Sequence, residues 1–208
     1  MRGVCVMRGG GRLWLAACVA LLLAACERAP TLAKLGPDDV VAFGDSLTYG
    51  TGASADTAYP AVLASLTGRT VINAGVPGET TADGLRRLPG VLAEHRPRLV
   101  LLCLGGNDML RQQPAAATES NLRLLVQTIR ASGAEVLLIA VPEPKLFGGA
   151  PDFYARVADA LALPLEDEAF NAVLKDNRLK ADPIHANAAG YRVVAERLAE
   201  FLREAGAL

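Results

Sequence analysis

The chain has 208 residues, of which 51% are hydrophobic, 21% charged and 5% aromatic. That length and apolar content suit one domain with a proper core and exclude a disordered chain, while 20 Gly and 4 Cys exclude collagen-like and disulfide-scaffold architectures. With 21 Lys and Arg against 22 Asp and Glu the net charge is −1, and no basic stripe is visible, so no nucleic-acid partner is expected.

Arg2, Arg8 and Arg12 precede an unbroken apolar run from Leu13 to Ala25, and no acid appears before Glu27. A basic start, a short apolar core and small residues at its end read as an export signal over 1–25. The run is shorter than the roughly 20 residues a membrane-spanning helix needs. An anchoring helix is the alternative, and Met7 is an alternative start. Leu23-Ala24-Ala25-Cys26 resembles the lipobox of bacterial lipoproteins. That resemblance implies cleavage before Cys26, lipidation of Cys26 and membrane contact through the lipid. Glu27, in place of Asp, implies an outer-membrane address facing the periplasm. A plain periplasmic or secreted protein is the other reading. Removing 1–25 takes three Arg and no acid, so 21 basic residues become 18 against 22 acids, a net charge of −4. Cys5 and Cys18 leave with the signal. Cys103 then stands alone if Cys26 is acylated, or bridges Cys26 if it is not. Its apolar strand setting favours a small buried hydrophobe. Residues 26–39, broken by Pro30, Gly36 and Pro37, are expected to tether a single domain over 40–208.

The domain alternates strand and helix. Val40–Phe43 is a first strand, Ala58–Leu66 a helix with Pro60 in its first turn, and Thr70–Asn73 a second strand ended by a Gly75/Gly78 loop. Thr81–Glu94 has helical character, with Pro89-Gly90 expected to break it. Arg98–Leu104 is nearly all apolar, as in a central strand covered on both faces. Thr118–Ala131 repeats Leu122, Leu125, Val126 and Ile129 on one helical face, with Ala115-Ala116-Ala117 as a loop or lead-in. Glu135–Val141 is a fourth strand, Pro151–Ala160 a helix and Leu161–Leu165 a short fifth strand. Glu166-Asp167-Glu168 reads as solvated acidic surface. Ala188–Leu202 closes the chain as a helix burying Val193, Val194, Ala195, Leu198 and Phe201. The alternation implies an α/β fold, a parallel sheet with helices on both faces.

In such sheets ligands bind beyond the carboxyl ends of the strands. Four polar blocks fall at or near that edge: Gly44-Asp45-Ser46-Leu47, Asn73-Ala74-Gly75, Gly105-Gly106-Asn107-Asp108 and Asp182-Pro183-Ile184-His185. Alone, Ser46 reads equally as a helix cap, Gly75 as a turn glycine, Asn107 as a cap and Asp182-x-x-His185 as a surface turn. Together they supply an acyl-transfer site. A serine hydroxyl needs an adjacent base to act as a nucleophile. Of the two histidines, His95 sits between Glu94 and Arg96 in a helical segment and reads as surface, which leaves His185. Asp182, three residues earlier, would orient the ring. The N–H groups of Ser46 and Gly75 and the Asn107 amide are candidate oxyanion donors. Asp45 and Asp108 are expected to brace loops. No cofactor is expected: there is no nucleotide or phosphate-loop fingerprint and no clustered Cys and His for a metal.

The four blocks, in this order, resemble those of the SGNH (GDSL-type) hydrolases, as does Asn187-Ala188-Ala189-Gly190-Tyr191 after His185. Gly78-Glu79-Thr80-Thr81 and the Val141-Pro142 loop are similar to the small bacterial esterase, thioesterase and lysophospholipase subgroup. The resemblance implies a flavodoxin-like three-layer α/β/α sandwich with about five parallel strands. It implies a serine esterase acting on aryl esters, thioesters or lysophospholipids through an acyl-Ser46 intermediate. There is no Gly-x-Ser-x-Gly elbow, which disfavours the α/β-hydrolase fold. Leu47, Val76, Pro77, Leu110, Pro142, Leu146, Phe147 and Ile184 are candidate walls of an acyl groove. A carbohydrate or peptidoglycan O-acetylesterase would use the same catalytic residues. A non-catalytic envelope-binding lipoprotein would have no need of all five polar residues.

Overall fold

The computed structural model describes residues 31–37, 40–144 and 148–208. Cys26, the signal segment and Phe147 lie outside the described residues. Five strands, β1 (Val40–Gly44), β2 (Val71–Gly75), β3 (Leu99–Cys103), β4 (Glu135–Ile139) and β5 (Leu165–Glu166), form one parallel sheet in the order β2-β1-β3-β4-β5. The chain thus winds outward in both directions from β1, and the order reverses between β1 and β3. β1 and β3 are buried at every residue, because helices cover both faces and leave no solvent side for alternation. In edge strand β2 Asn73 is exposed.

The described helices are α1 (Ser46–Tyr49), α2 (Tyr59–Thr67), α3 (Thr81–His95), α4 (Gly106–Leu110), α5 (Ala115–Ala131), α6 (Asp152–Leu161), α7 (Ala169–Lys175) and α8 (Ala188–Glu204), with a 3₁₀ turn at Asn177–Leu179. None is long and apolar enough to cross a membrane. Helices α2 and α8 pack together, as do α3 and α5.

Several elements differ from the sequence reading. Pro89 does not break α3: Pro89 and Gly90 are exposed, so the carbonyl that Pro89 leaves without a donor can be met by water, while Leu88 and Leu92 anchor the buried side. The alanine patch is the first turn of α5. Leu161 ends α6 instead of opening a strand, and only Leu165 and Glu166 pair with Leu138 and Ile139. Val193 is on the exposed side of α8, whose buried side runs through Tyr191, Val194, Ala195, Leu198 and Leu202; Phe201 is half-buried. Helix α7 was not anticipated. Glu166 is not surface acid: it is buried, accepts from the N–H groups of Glu168 and Ala169 at 3.0 and 2.9 Å, and pairs with Arg197 at 3.2 Å. It closes the entry to α7 by neutralising orphan amides at the start of the helix.

Residues 31–37 do more than span a gap. Leu32 and Leu35 are buried in the core, and their N–H groups donate to the carbonyls of Ala205 and Ala207, both at 2.9 Å. Ala33 N–H donates to Glu135 Oε2 at 2.7 Å, at the start of β4. This strap fastens the front of the domain to its end along the N-terminal edge of the sheet. Cys103 is a buried free thiol, and burial pushes its pKa well up.

Candidate active site

The opposite edge carries the polar blocks. β1 ends at Gly44, and Asp45 turns the chain into α1 as its N-cap, its Oδ1 accepting from Leu47 N–H at 3.0 Å. Ser46 is therefore the first residue of a helix capped by its neighbour, not the cap itself. Beneath it, Thr48 Oγ1 meets Tyr59 Oη at 3.1 Å. Gly75 allows α1 to sit this low: a Cβ there would lie 2.1 Å from Tyr49 N.

His185 arrives from across the molecule on a loop that leads into α8. Its Nε2 stands 3.0 Å from Ser46 Oγ, and its Nδ1 stands 2.7 Å from Asp182 Oδ2. Asp182 Oδ1 accepts from the backbone N–H of Ile184 and His185 at 2.9 and 2.8 Å, so the turn holds the carboxylate as well as the ring. Partial burial works to raise the Asp182 pKa. The hydrogen bonds from His185 and the two backbone amides outweigh it and leave the carboxyl below its ordinary value. An ionised Asp182 accepts from Nδ1–H, which places the proton on Nδ1 and leaves the Nε2 lone pair for the serine hydroxyl. His95, in the last turn of α3, is partly exposed near Glu94 and remote from this chemistry.

Asn107 lies in α4, just beyond β3. Its Nδ2 donates to Asp45 Oδ2 at 3.2 Å and to the Glu79 carbonyl at 3.1 Å, tying together the loops after β1, β2 and β3. Asp45 is fully buried, and burial drives its carboxyl up to about 7, against the opposing pull of Leu47 N–H, the Asn107 amide and the His185 charge. Asp108 is a brace, accepting from Thr81 N–H and Oγ1 at 2.9 and 2.6 Å. Glu79 is buried and held by Arg87, whose Nε donates to it at 2.7 Å and whose Nη2 donates to the Ala74 carbonyl at 3.0 Å.

The Gly75 amide is not available to substrate in this arrangement: it donates to Asn73 Oδ1 at 3.0 Å. Asn73 is thus spent on the backbone, its Nδ2 also bonding the Tyr49 carbonyl at 3.3 Å. Gly78, at φ 80° and adjacent to the Glu79 carbonyl that Asn107 holds, has no acceptor for its N–H among the described residues.

A cavity of about 370 Å³ opens over Ser46 and His185. Leu47, Leu110, Pro142 and Ile184 line it as expected from the sequence. Val76 and Pro77 do not: Val76 N–H bonds back to the Gly44 carbonyl, and Val76 is exposed outside the cavity. The sequence reading missed a wall made by Asn171, Leu174, Lys175, Asn177 and Lys180. The one available signal was the Ala169, Phe170 and Val173 spacing of a short buried helix face. Among the described residues no group of three or more His, Cys, Asp or Glu side chains is placed to hold a metal ion.

A serine hydroxyl, an imidazole and a carboxylate in series, under a cavity at the carboxyl edge of a doubly wound sheet, define a serine hydrolase. Comparison with known proteins agrees. The model of the GDSL-like lipase/acylhydrolase family matches residues 42–193, and the chain belongs to that family. It is 34% identical over 181 residues to thioesterase 1/protease 1/lysophospholipase L1 of Escherichia coli, covering 83% of this chain and 87% of that one. It is 36% identical over 152 residues to esterase TesA of Pseudomonas aeruginosa, covering 69% and 75%. A crystal structure of TesA superposes with a TM-score of 0.71 at 31% identity, over 80% of this chain and 99% of the other. The protein is an SGNH-type serine esterase whose substrates are small esters.

Proposed function

We propose that Ser46 is the nucleophile, His185 the general base and acid, and Asp182 the residue that orients and charges the imidazole. The observation that carries this reading is the 3.0 Å approach of His185 Nε2 to Ser46 Oγ with Asp182 on the other ring nitrogen. His185 takes the Ser46 proton as Oγ attacks the ester carbonyl, then gives it to the departing alcohol or thiol. Water, deprotonated by the same ring, cleaves the acyl-Ser46 intermediate and frees the acid. The oxyanion is held by the Ser46 N–H, by the Gly78 N–H in place of that of Gly75, and by the Asn107 amide, which exchanges its 3.2 Å bond to Asp45 for one to the oxyanion.

The acyl half lies against Leu47, Leu110, Val141 and Pro142, in a space larger than an acetyl group needs, which supports medium or longer chains. The names of the relatives support lysophospholipids, aryl esters and thioesters as candidate substrate classes. Lipidation at Cys26 and a periplasm-facing place on the outer membrane complete the reading, supported by the signal pattern of the first 26 residues.

The test is hydrolysis of p-nitrophenyl esters from acetate to palmitate, and of lysophosphatidylcholine, by the native protein and Ser46→Ala. Loss of all activity in the variant, with the native rate rising beyond acetate, is expected. Activity on acetate alone would replace this reading with an O-acetylesterase. Radiolabelled palmitate incorporation that Cys26→Ser abolishes is the matching test of the anchor.

A further inference from the structure

The cavity has two chemically different walls. One, from the loops after β3 and β4, offers Leu110, Val141, Pro142 and Pro144. The other, from α7 and the turn after it, offers Asn171, Lys175, Asn177 and Lys180. Lys180 is fixed relative to the catalytic imidazole. It forms an antiparallel bridge with Ala186, and Ala181 N–H donates to the His185 carbonyl at 3.0 Å, so Lys180 and His185 sit on the same short loop. In the esterase mechanism His185 protonates the leaving oxygen or sulfur. The leaving half of the substrate therefore lies on the lysine side, and the acyl half on the apolar side.

Lys175 and Lys180 form no ion pair among the described residues. The acids nearest to them in sequence are already engaged: Asp176 holds Arg178 at 2.7 Å and Asp182 holds His185. The other acids at the cavity are Glu143, on the proline-rich loop of the apolar wall, and Asp45, at the floor beside Asn107. We propose that Lys175 and Lys180 form an anion subsite for the leaving group. It selects esters or thioesters whose alcohol or thiol half carries a phosphate beyond the scissile bond. This rests on the serine-esterase reading and sharpens its substrate class. A glycerophosphate headgroup and a phosphopantetheine-type thiol both present that chemistry.

The test compares substrates of one acyl chain in charged and neutral pairs: hexanoyl glycerophosphate against hexanoyl glycerol, and hexanoyl-coenzyme A against hexanoyl-N-acetylcysteamine. The enzymes are the native protein, Lys175→Gln, Lys180→Gln, the double glutamine variant and the double arginine variant. Each glutamine is expected to lower kcat/KM on the phosphate-bearing substrate about fivefold, through KM with kcat held. The double variant multiplies the loss, the arginine variant retains activity, and the neutral partner is unaffected. A loss confined to the glycerophosphate pair assigns the site to lipid headgroups, and one confined to the thioester pair assigns it to phosphopantetheine; either supports the subsite. Equal effects on charged and neutral partners, or none, overturn it while leaving the esterase intact. A native protein inactive on all four and on p-nitrophenyl hexanoate overturns both.

Discussion

If Ser46, His185 and Asp182 act in series as proposed, their removal is not additive. Ser46→Ala is expected to lower kcat on the order of 10⁵- to 10⁶-fold, and Asp182→Asn about 10⁴-fold by presenting the wrong ring tautomer. Steady-state rates on p-nitrophenyl butyrate, with folding checked by circular dichroism, measure both. Asp45 makes a different prediction. Its carboxyl titrates near pH 7 when folded and near the ordinary 3.8 when unfolded. Between those values the folded state binds more protons than the unfolded state, so this group's contribution to stability falls as pH rises from about 4 to 7, by a total on the order of 4 kcal/mol. Carbon-13 titration of the Asp45 carboxyl checks the midpoint; one near pH 4 would contradict the burial argument. At this scale the hydrogen-bonded series of Ser46, His185 and Asp182 was legible, because two histidines left little choice and Asp182 lies three residues from His185. The state of the glycine amides was not. Gly75 and Gly78 look alike in sequence, and only the Asn73 side chain, which takes the Gly75 N–H, separates them.

Among the elements, the loop from β2 to α3 depends on a buried carboxylate and its half-buried partner. Arg87 reaches from α3 to clamp Glu79, with its guanidinium over the Phe43 ring at 4.2 Å, and Glu79 in turn presents its carbonyl to Asn107. Arg87→Met should leave Glu79 buried and unpaired and destabilise the fold by about 3 kcal/mol. The double variant with Glu79→Gln should recover much of that, as read by urea midpoints. A clamp that also positions Asn107 will further lower kcat in Arg87→Met with KM little changed. The strands and long helices were readable from periodicity and from turns. Helix α7 was not, since seven residues give fewer than two turns of pattern, and with it went the lysine wall of the cavity. Pro89 shows the converse: a strong breaker on the solvent side of a helix whose other side is anchored does not break it.

At the scale of the molecule, the sheet separates two jobs. Its carboxyl edge holds the proposed active site, and its amino edge holds the strap formed by Leu32 and Leu35. Replacing both leucines with alanine should destabilise the domain by about 2 kcal/mol for each, with kcat unchanged because the site lies at the other edge. Urea denaturation followed by tryptophan-independent circular dichroism, beside the esterase assay, checks both halves of that statement. The strap escaped the sequence reading because two leucines among Pro and Gly carry no periodic signal; only their meeting with the distant residues Ala205 and Ala207 makes them core.

The strap also sets a direction. Helix α8 starts beside His185 and runs about 25 Å to the place where Leu32 is fastened, so a lipid on Cys26, a few residues upstream of Leu32, would moor the enzyme by its base. Six residues from Cys26 to Leu32 reach at most about 20 Å when fully extended. Were Cys26 to carry the proposed lipid, the mouth of the active site would look away from the bilayer, and the enzyme would harvest acyl compounds that drift past or face it from across the gap, instead of grazing on its own leaflet.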